Sequence, residues 1–214
     1  MIDAIYIHIP FCVKKCDYCD FLSFQSNSEE RKKYVDFLIK EIRLYPKYKY
    51  DTVYFGGGTP SLLETEDIKK ILAELDICEN AEVTLEANPK TVDLKKFKEL
   101  REAGINRISM GIQSFNEKFL KKLGRLHNSQ EGIQAYYDAR EAGFENISLD
   151  LMFSLPGQSL EEVKEDLHKM IELNPEHFSI YSLIWESDTK FYEKLESGEY
   201  EETDNDLEAQ MYEY

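Results

Sequence analysis

Short β-like runs and amphipathic helical segments alternate six times along this 214-residue chain. The predicted strands span residues 4–9, 52–55, 82–86, 107–110, 146–153 and 177–183. The predicted helices span 28–45, 66–75, 93–103, 117–123, 129–142 and 160–173. Strands separated by helices demand a parallel sheet with right-handed crossovers. Six units are too few for a closed eight-stranded barrel, which leaves an open partial barrel or a doubly wound sheet.

Helix ends in the sequence support this division. Ser28 is the expected N-cap of the first helix, because its hydroxyl can accept a bond from a first-turn N–H group. Gly104 and Gly143 follow two later helices and are expected to end them. In either architecture, the loops after the strands carry the chemistry.

The composition restricts the class of protein. The net charge of −16 argues against nucleic acid as the main partner, since phosphate binding needs a basic face. The sequence contains neither an apolar run long enough to span a membrane nor a secretory signal. The four cysteines do not form a disulfide framework and point to a reducing compartment. We therefore expect a cytoplasmic protein.

Three cysteines follow the first strand in a C-x3-C-x2-C pattern: Cys12, Cys16 and Cys19. Thiolates select zinc, copper(I) or iron–sulfur clusters. Structural zinc commonly uses four ligands in two separated pairs, and this triplet has no such partner. A [4Fe–4S] cluster with one iron left open fits better, against the alternatives of a disulfide or chance cysteines.

The triplet and its lead-in, Tyr6-Ile7-His8-Ile9-Pro10-Phe11-Cys12, resemble the radical S-adenosylmethionine (SAM) enzymes. More narrowly, they resemble the oxygen-independent coproporphyrinogen III oxidase family and its haem chaperone branch. Phe21 stands where the oxidases carry a further cysteine and where the chaperone branch has phenylalanine. The resemblance implies an α/β fold, an open six-unit (β/α)6 partial TIM barrel of the radical SAM type.

The resemblance also implies a domain division. Residues 1–185 form the radical SAM core, with the cluster loop at 12–19. Residues 186–214, which are crowded with glutamate and aspartate, form a solvated acidic connector toward a missing C-terminal domain. An open edge and apolar surface are then expected where that domain would pack.

Two segments after strands resemble SAM-binding motifs of the family. Gly56-Gly57-Gly58-Thr59-Pro60 lacks Cβ atoms at three positions, so its backbone can approach a ligand closely. It resembles the family's G-G-G-T-P segment, which implies that Gly57, Gly58 and Thr59 bind the amino group of SAM. Glu86 ends the third strand, and the sequence alone would suggest a solvated charge at the strand end. The resemblance makes it a SAM ligand.

Three further polar residues match family motifs. Gln113 has donor and acceptor groups suited to a ribose or carboxylate. Arg125 can bind the SAM carboxylate as a fork, although it also reads as a helix-terminal arginine. Asp150 is an acid in an apolar strand and needs a partner, either a ribose hydroxyl or Arg125. Ser154 departs from the family, which mostly has glycine there.

The remaining candidates rest on the resemblance more than on chemistry. Tyr6, Tyr18 and Ile184 match neighbours of SAM, and otherwise read as packing aromatics and an apolar core residue. His127 reads as a loop histidine and is not a predicted ligand. Cys78 reads as a small apolar residue outside the cluster site.

The resemblance implies a [4Fe–4S] cluster, SAM, and its reductive cleavage, with an electron donor such as flavodoxin or ferredoxin. The main expectation is a haem chaperone that delivers haem to haem-accepting proteins. The alternative is oxidative decarboxylation of coproporphyrinogen III in porphyrin biosynthesis, which the missing fourth cysteine disfavours. The expected partners are therefore haem or a porphyrin, and no nucleic acid.

Overall fold

The computed structural model describes residues 3–214. Six parallel strands form one sheet in the order of the sequence. The strands are β1 (Ala4–Ile9), β2 (Lys49–Gly57), β3 (Asp76–Ala87), β4 (Arg107–Gln113), β5 (Ile147–Phe153) and β6 (His177–Ser182). The helices are α1 (Ser28–Ile42), α2 (Thr65–Ala73), α3 (Leu94–Glu102), α4 (Glu117–Lys122), α5 (Ser129–Glu141), α6 (Leu160–Leu173), α7 (Lys190–Glu196) and α8 (Asn205–Glu213). The predicted open α/β partial barrel is confirmed.

The core lies between the sheet and its helices. Alternation in β1 buries Ile7 and Ile9 and leaves Tyr6 on the other face. The central strands β4 and β5 are buried along almost their whole length, as expected where a parallel strand is covered on both faces. The sheet thus presents two different faces, an apolar one toward the helices and a polar one toward the barrel interior.

Helix caps differ from the prediction at one position. Asn27, not Ser28, caps α1, and it forms a capping box with Glu30. Both residues are suitable caps, but only Asn27 has a glutamate three positions later. Gly104 and Gly143 follow α3 and α5 with φ of 107° and 92°, so the predicted glycine ends are confirmed.

Strand β3 is much longer than predicted. It begins at Asp76 and first pairs with the start of β2, before a register irregularity between Tyr50 and Thr52. The polar residues Glu79 and Asn80 hide this extension in the sequence. Pattern recognition found only the apolar end of the strand, residues 82–86.

Residues 186–214, predicted to be an acidic connector with a helix beginning at Asp206, are more ordered than a solvated connector, and the predicted helix is present as α8. This segment contains α7 and α8, and Phe191 and Met211 are buried against the rest of the protein. The acidic composition conceals these two apolar anchors, because each helix buries only one large side chain. A domain boundary near residue 185 stays a prediction.

Strands β1 and β6 are the two edges of the sheet. Phe178 and Ile180 of β6 are 40% and 45% exposed, which agrees with the expected apolar surface at an open edge. Among the helices of residues 3–214, none is both long and apolar enough to cross a membrane.

Candidate functional site

The carboxyl ends of the strands surround a cleft of about 350 Å³. This volume lies in the range of small-molecule sites. The cleft brings together twelve of the predicted residues: Cys12, Cys16, Tyr18, Cys19, Gly57, Gly58, Thr59, Glu86, Gln113, Arg125, Asp150 and Ile184. Tyr6 does not line it. Its ring stacks on Tyr54 and is 57% exposed at the open edge of the sheet.

All three cysteines of the loop are free thiols, so a disulfide is excluded for them in this structure. The loop closes on itself where Cys12 N–H donates to Phe24 O at 2.9 Å. Two side chains donate to sulfur: Thr59 Oγ1 lies 3.5 Å from Cys12 Sγ, and Arg125 Nη1 lies 3.6 Å from Cys16 Sγ. Both contacts link a cysteine sulfur to a residue that lines the same cleft.

The donor set, three free thiols at one cleft, fits an iron–sulfur cluster. Within residues 3–214, no three histidine, cysteine or acidic side chains converge closely enough to hold one metal ion. A single zinc ion needs its sulfurs at about 2.3 Å from one point. A cluster offers each thiolate a different iron atom. Three thiols that face one cleft therefore match the triplet predicted from the sequence.

Burial raises the pKa of the Cys19 thiol, and the neighbouring Cys16 and Cys12 thiols raise it further. A metal ligand must be deprotonated, so metal binding here releases protons. Cluster assembly is consequently expected to improve as the pH rises.

Two carboxylates lie opposite the thiols on the strand ends. Glu86 accepts from Tyr54 Oη at 2.9 Å and from the Gly57 N–H at 3.1 Å. Asp150 accepts from Ser109 Oγ at 3.3 Å. Burial raises the pKa of Glu86, while burial and the Glu86 charge together raise the pKa of Asp150 to about 7. A ligand with hydroxyl or amino donors would compensate both groups.

Arg125 supplies positive charge at the cleft wall. Its Nη2 donates to the Gly111 carbonyl, and its Nη1 to Cys16 Sγ. Its Nε is buried and has no partner among the described residues. The suggested Arg125–Asp150 pair is not what the structure shows, because each group has another partner. The guanidinium thus keeps donor capacity for a ligand carboxylate.

Gln113 is held in a strained conformation. Its φ is 73°, which is uncommon for a residue other than glycine, and the β4–β5 register is irregular between Gly111 and Gln113. Tyr181 Oη donates to Gln113 Oε1 at 2.7 Å and so orients the amide. Such strain often marks a functional site.

The backbone conformation of Ser154 explains why the family mostly has glycine at this position. Its φ is 61°, in the left-handed region that glycine adopts without cost. The serine keeps the turn after β5, so the departure from the family pattern leaves the loop geometry intact.

The glycine run packs against the cluster loop. A Cβ on Gly57 would lie 2.7 Å from the His8 ring, and one on Gly58 would lie 2.7 Å from the Phe11 carbonyl oxygen. The close approach predicted for a ligand is therefore also needed between β2 and the loop that carries the cysteines.

The remaining predicted residues fall in different places. Ile184 is 68% exposed at the cleft, so its reading as a core residue is wrong. The Tyr18 ring packs edge-on against Phe191. His127 lies outside the cleft and is buried, with Nε2 3.2 Å from the Ile112 carbonyl oxygen. Burial and, to a lesser extent, the Arg125 charge lower its pKa to about 4. Cys78 lies on β3, at the opposite end from the strand's Glu86.

Sequence reasoning missed the residues that orient the site. Tyr54, Ser109 and Tyr181 hold Glu86, Asp150 and Gln113, respectively. Each lies on the interior face of its strand. Ser109 precedes Gly111 by two residues and Gln113 by four. Because residues two apart on a strand share a face, this spacing was the available signal that Ser109 lies at the site.

Comparison with known proteins identifies the family. The sequence model of the Radical SAM superfamily matches residues 6–170. This chain belongs to the radical SAM superfamily. Two relatives named "Heme chaperone HemW" are 40% identical over 219 residues (Bacillus subtilis) and 45% identical over 197 residues (Escherichia coli). The alignments cover 98% and 88% of this chain, but only 58% and 52% of those proteins.

The radical SAM fold also matches a solved enzyme structure. Coproporphyrinogen III oxidase (HemN) from Escherichia coli superposes with a TM-score of 0.86 at 26% sequence identity. The match covers 99% of this chain and 50% of that enzyme. The chain thus spans about half the length of the relatives that it matches.

Proposed function

We propose that Cys12, Cys16 and Cys19 hold a [4Fe–4S] cluster and that the adjoining cleft binds SAM. The observation that supports this most directly is the single cleft shared by three free thiols, two half-buried carboxyl groups and a partly unpaired arginine. These groups match the amino, carboxylate and hydroxyl groups of SAM.

When bound, the cluster supplies one electron for the reductive cleavage of SAM. The chain's own residues bind and orient. Arg125 offers Nε–H to a carboxylate, and the Glu86 carboxylate, fixed by Tyr54 and Gly57, offers acceptors to an amino group. Asp150 and the Gln113 amide suit ribose hydroxyls.

We further propose that this protein acts as a haem chaperone and delivers haem to haem-accepting proteins in the cytoplasm. The names of the two relatives support this, as does Phe21 in place of the fourth cysteine of the oxidases. An electron donor such as flavodoxin or ferredoxin would serve the cluster. The alternative, coproporphyrinogen III oxidation, rests on the structural likeness to that oxidase.

The cluster proposal is tested by electron paramagnetic resonance of the anaerobically reconstituted, dithionite-reduced chain. We expect a [4Fe–4S]⁺ signal that shifts when SAM is added. A signal indifferent to SAM would reject the cofactor cleft, and the absence of any cluster would reject the proposal as a whole.

The ligand assignment is tested by Cys16→Ala, with Cys78→Ala as the matched control. The first variant should lose most of its iron after reconstitution because only two thiolates remain. The control should keep it, because Cys78 lies outside the cleft. Iron and sulfide analysis per chain gives the comparison; equal iron in both variants contradicts the assignment.

The haem proposal is tested by haem binding and by an oxidase assay. Titration with haem, followed by its visible absorption, should show saturable binding, while an anaerobic assay for porphyrinogen oxidation should show no product. The opposite pair of results would favour the oxidase.

A further inference from the structure

Two separate supports hold the cluster-binding loop, and the second comes from the acidic segment after the sheet. The first support is the stem, where Cys12 N–H and Phe24 N–H donate to Phe24 O and Pro10 O. The second lies at Asp17, between the second and third cysteines. Asp17 faces both the turn after α4 and the start of α7.

Every polar group of Asp17 is used in this second support. Its N–H donates to Leu123 O at 3.1 Å, and its carbonyl accepts from Phe191 N–H at 3.0 Å. Its Oδ1 accepts from Lys190 Nζ at 3.0 Å. The N–H groups in the first turn of a helix have no partner within the helix, so Asp17 satisfies one of them.

Apolar packing adds to these bonds. The Tyr18 ring meets the Phe191 ring edge-on, with centroids 6.2 Å apart. Phe191 is only 1% exposed and belongs to a cluster with Phe119 and Leu123. The loop residue next to Asp17 is therefore fixed to α7 through a buried aromatic contact.

We propose that the start of α7 is a clamp that positions Cys16 and Cys19, and that Lys190 is a positioning residue for the metal-binding thiols. We call Asp17, Leu123, Lys190 and Phe191 the α7 clamp. Cys19 N–H donates to Cys16 O, so a shift of residues 16–17 moves both sulfurs. The positioning role of the clamp rests on the proposed function, because it assumes that the thiols bind a cluster. The effect of the clamp on the loop can still be measured in the cluster-free chain.

The test is the rate of thiol alkylation in the cluster-free, reduced chain, read for each cysteine by mass spectrometry. In Lys190→Ala, Cys16 and Cys19 should react about two to five times faster, the effect of losing one partly exposed ion pair. Cys78, far from the loop, is the internal reference for global unfolding. The Asp17 and Phe191 amides should also exchange hydrogen faster.

Lys194→Ala is the matched control. It lies one turn further along α7 and pairs with Glu199, not with the loop. The alkylation rates of the thiols in Lys194→Ala should equal those of the unmodified protein. Lys190→Arg should show the rates of the unmodified protein rather than those of Lys190→Ala. Phe191→Leu is a second probe, because it keeps apolar volume but removes the ring beneath Tyr18.

Equal rates at Cys16 and Cys19 in Lys190→Ala and Lys194→Ala would overturn the proposal. Equal acceleration of alkylation at Cys16, Cys19 and Cys78 would also overturn it, because α7 would then contribute only to global stability. In reconstituted Lys190→Ala, we expect a broadened or shifted paramagnetic signal. Failure of the unmodified chain to bind a cluster would reject the proposed function, while Lys190-dependent protection of the thiols would still support the clamp.

Discussion

Asp150 is a single residue whose ionisation should control the stability of the cluster-free chain. Burial and the Glu86 charge raise its pKa from 3.8 to about 7. The folded chain therefore keeps a proton between about pH 4 and pH 7 that the unfolded chain has lost. Its stabilising contribution is complete below pH 4 and is lost as the pH rises to 7.

Asp150→Asn should remove this dependence, because an amide stays neutral and can still accept from Ser109. At pH 8 the variant should exceed the unmodified chain in unfolding free energy by on the order of 1–4 kcal/mol, while the difference should shrink toward pH 4.5. Thermal melts across this range give the measurement. Asp36→Asn, an exposed change on α1, is the control; a parallel pH profile for Asp150→Asn and the unmodified chain would contradict the prediction.

For single residues, the sequence predicted the charged groups of the site better than it predicted the residues that donate hydrogen bonds to them. An acid inside an apolar strand is unusual, so Asp150 could be found without a structure. Ser109 and Tyr54 are ordinary strand residues, and only the strand register places their hydroxyl groups beside Asp150 and Glu86. The positive φ of Gln113 depends on an irregular register between β4 and β5, which no local pattern encodes.

Between elements, the contact between the end of β2 and the cluster loop should tolerate no added atom. A Cβ on Gly58 would lie 2.7, 2.9 and 3.0 Å from backbone atoms of Phe11. Gly58→Ala should therefore push the loop away, lower the unfolding free energy by about 1–3 kcal/mol and reduce iron binding. Chemical denaturation and iron content per chain are the measurements.

Gly143→Ala is the control for Gly58→Ala. Gly143 has φ of 92°, but a Cβ there meets nothing within 4 Å. This control should lose about 1 kcal/mol through backbone strain and keep its iron content. Equal iron in both variants would show that the β2–loop contact does not position the cysteines.

The order of strands and helices could be predicted from the sequence, because hydrophobic residues recur with the period of a strand or a helix wherever one face of the element is buried. Strand β1 and helix α6 have their predicted bounds. The polar start of β3 was missed because register, not hydrophobicity, extends it. Helix α7 was missed because one buried aromatic, Phe191, anchors it within an acidic segment.

For the whole molecule, the open edge at β6 should make the isolated chain associate with itself. Phe178 and Ile180 lie on the face of β6 opposite Tyr181, and exposed apolar edge strands pair readily with other chains. Ile180→Lys should suppress this association because an edge lysine opposes strand pairing. Sedimentation at increasing chain concentration should show a concentration-dependent rise in mass for the unmodified chain and a constant mass for the variant.

Leu44→Lys separates edge pairing from general surface stickiness. Leu44 is 83% exposed, more than Ile180, but it lies in the loop after α1 and not on an edge strand. If hydrophobic exposure alone drives association, Leu44→Lys should reduce it at least as much as Ile180→Lys. If the unpaired backbone of β6 drives it, only the edge substitution should act. Both substitutions add one lysine and change the net charge of −16 by the same amount, so charge alone cannot account for a difference between them.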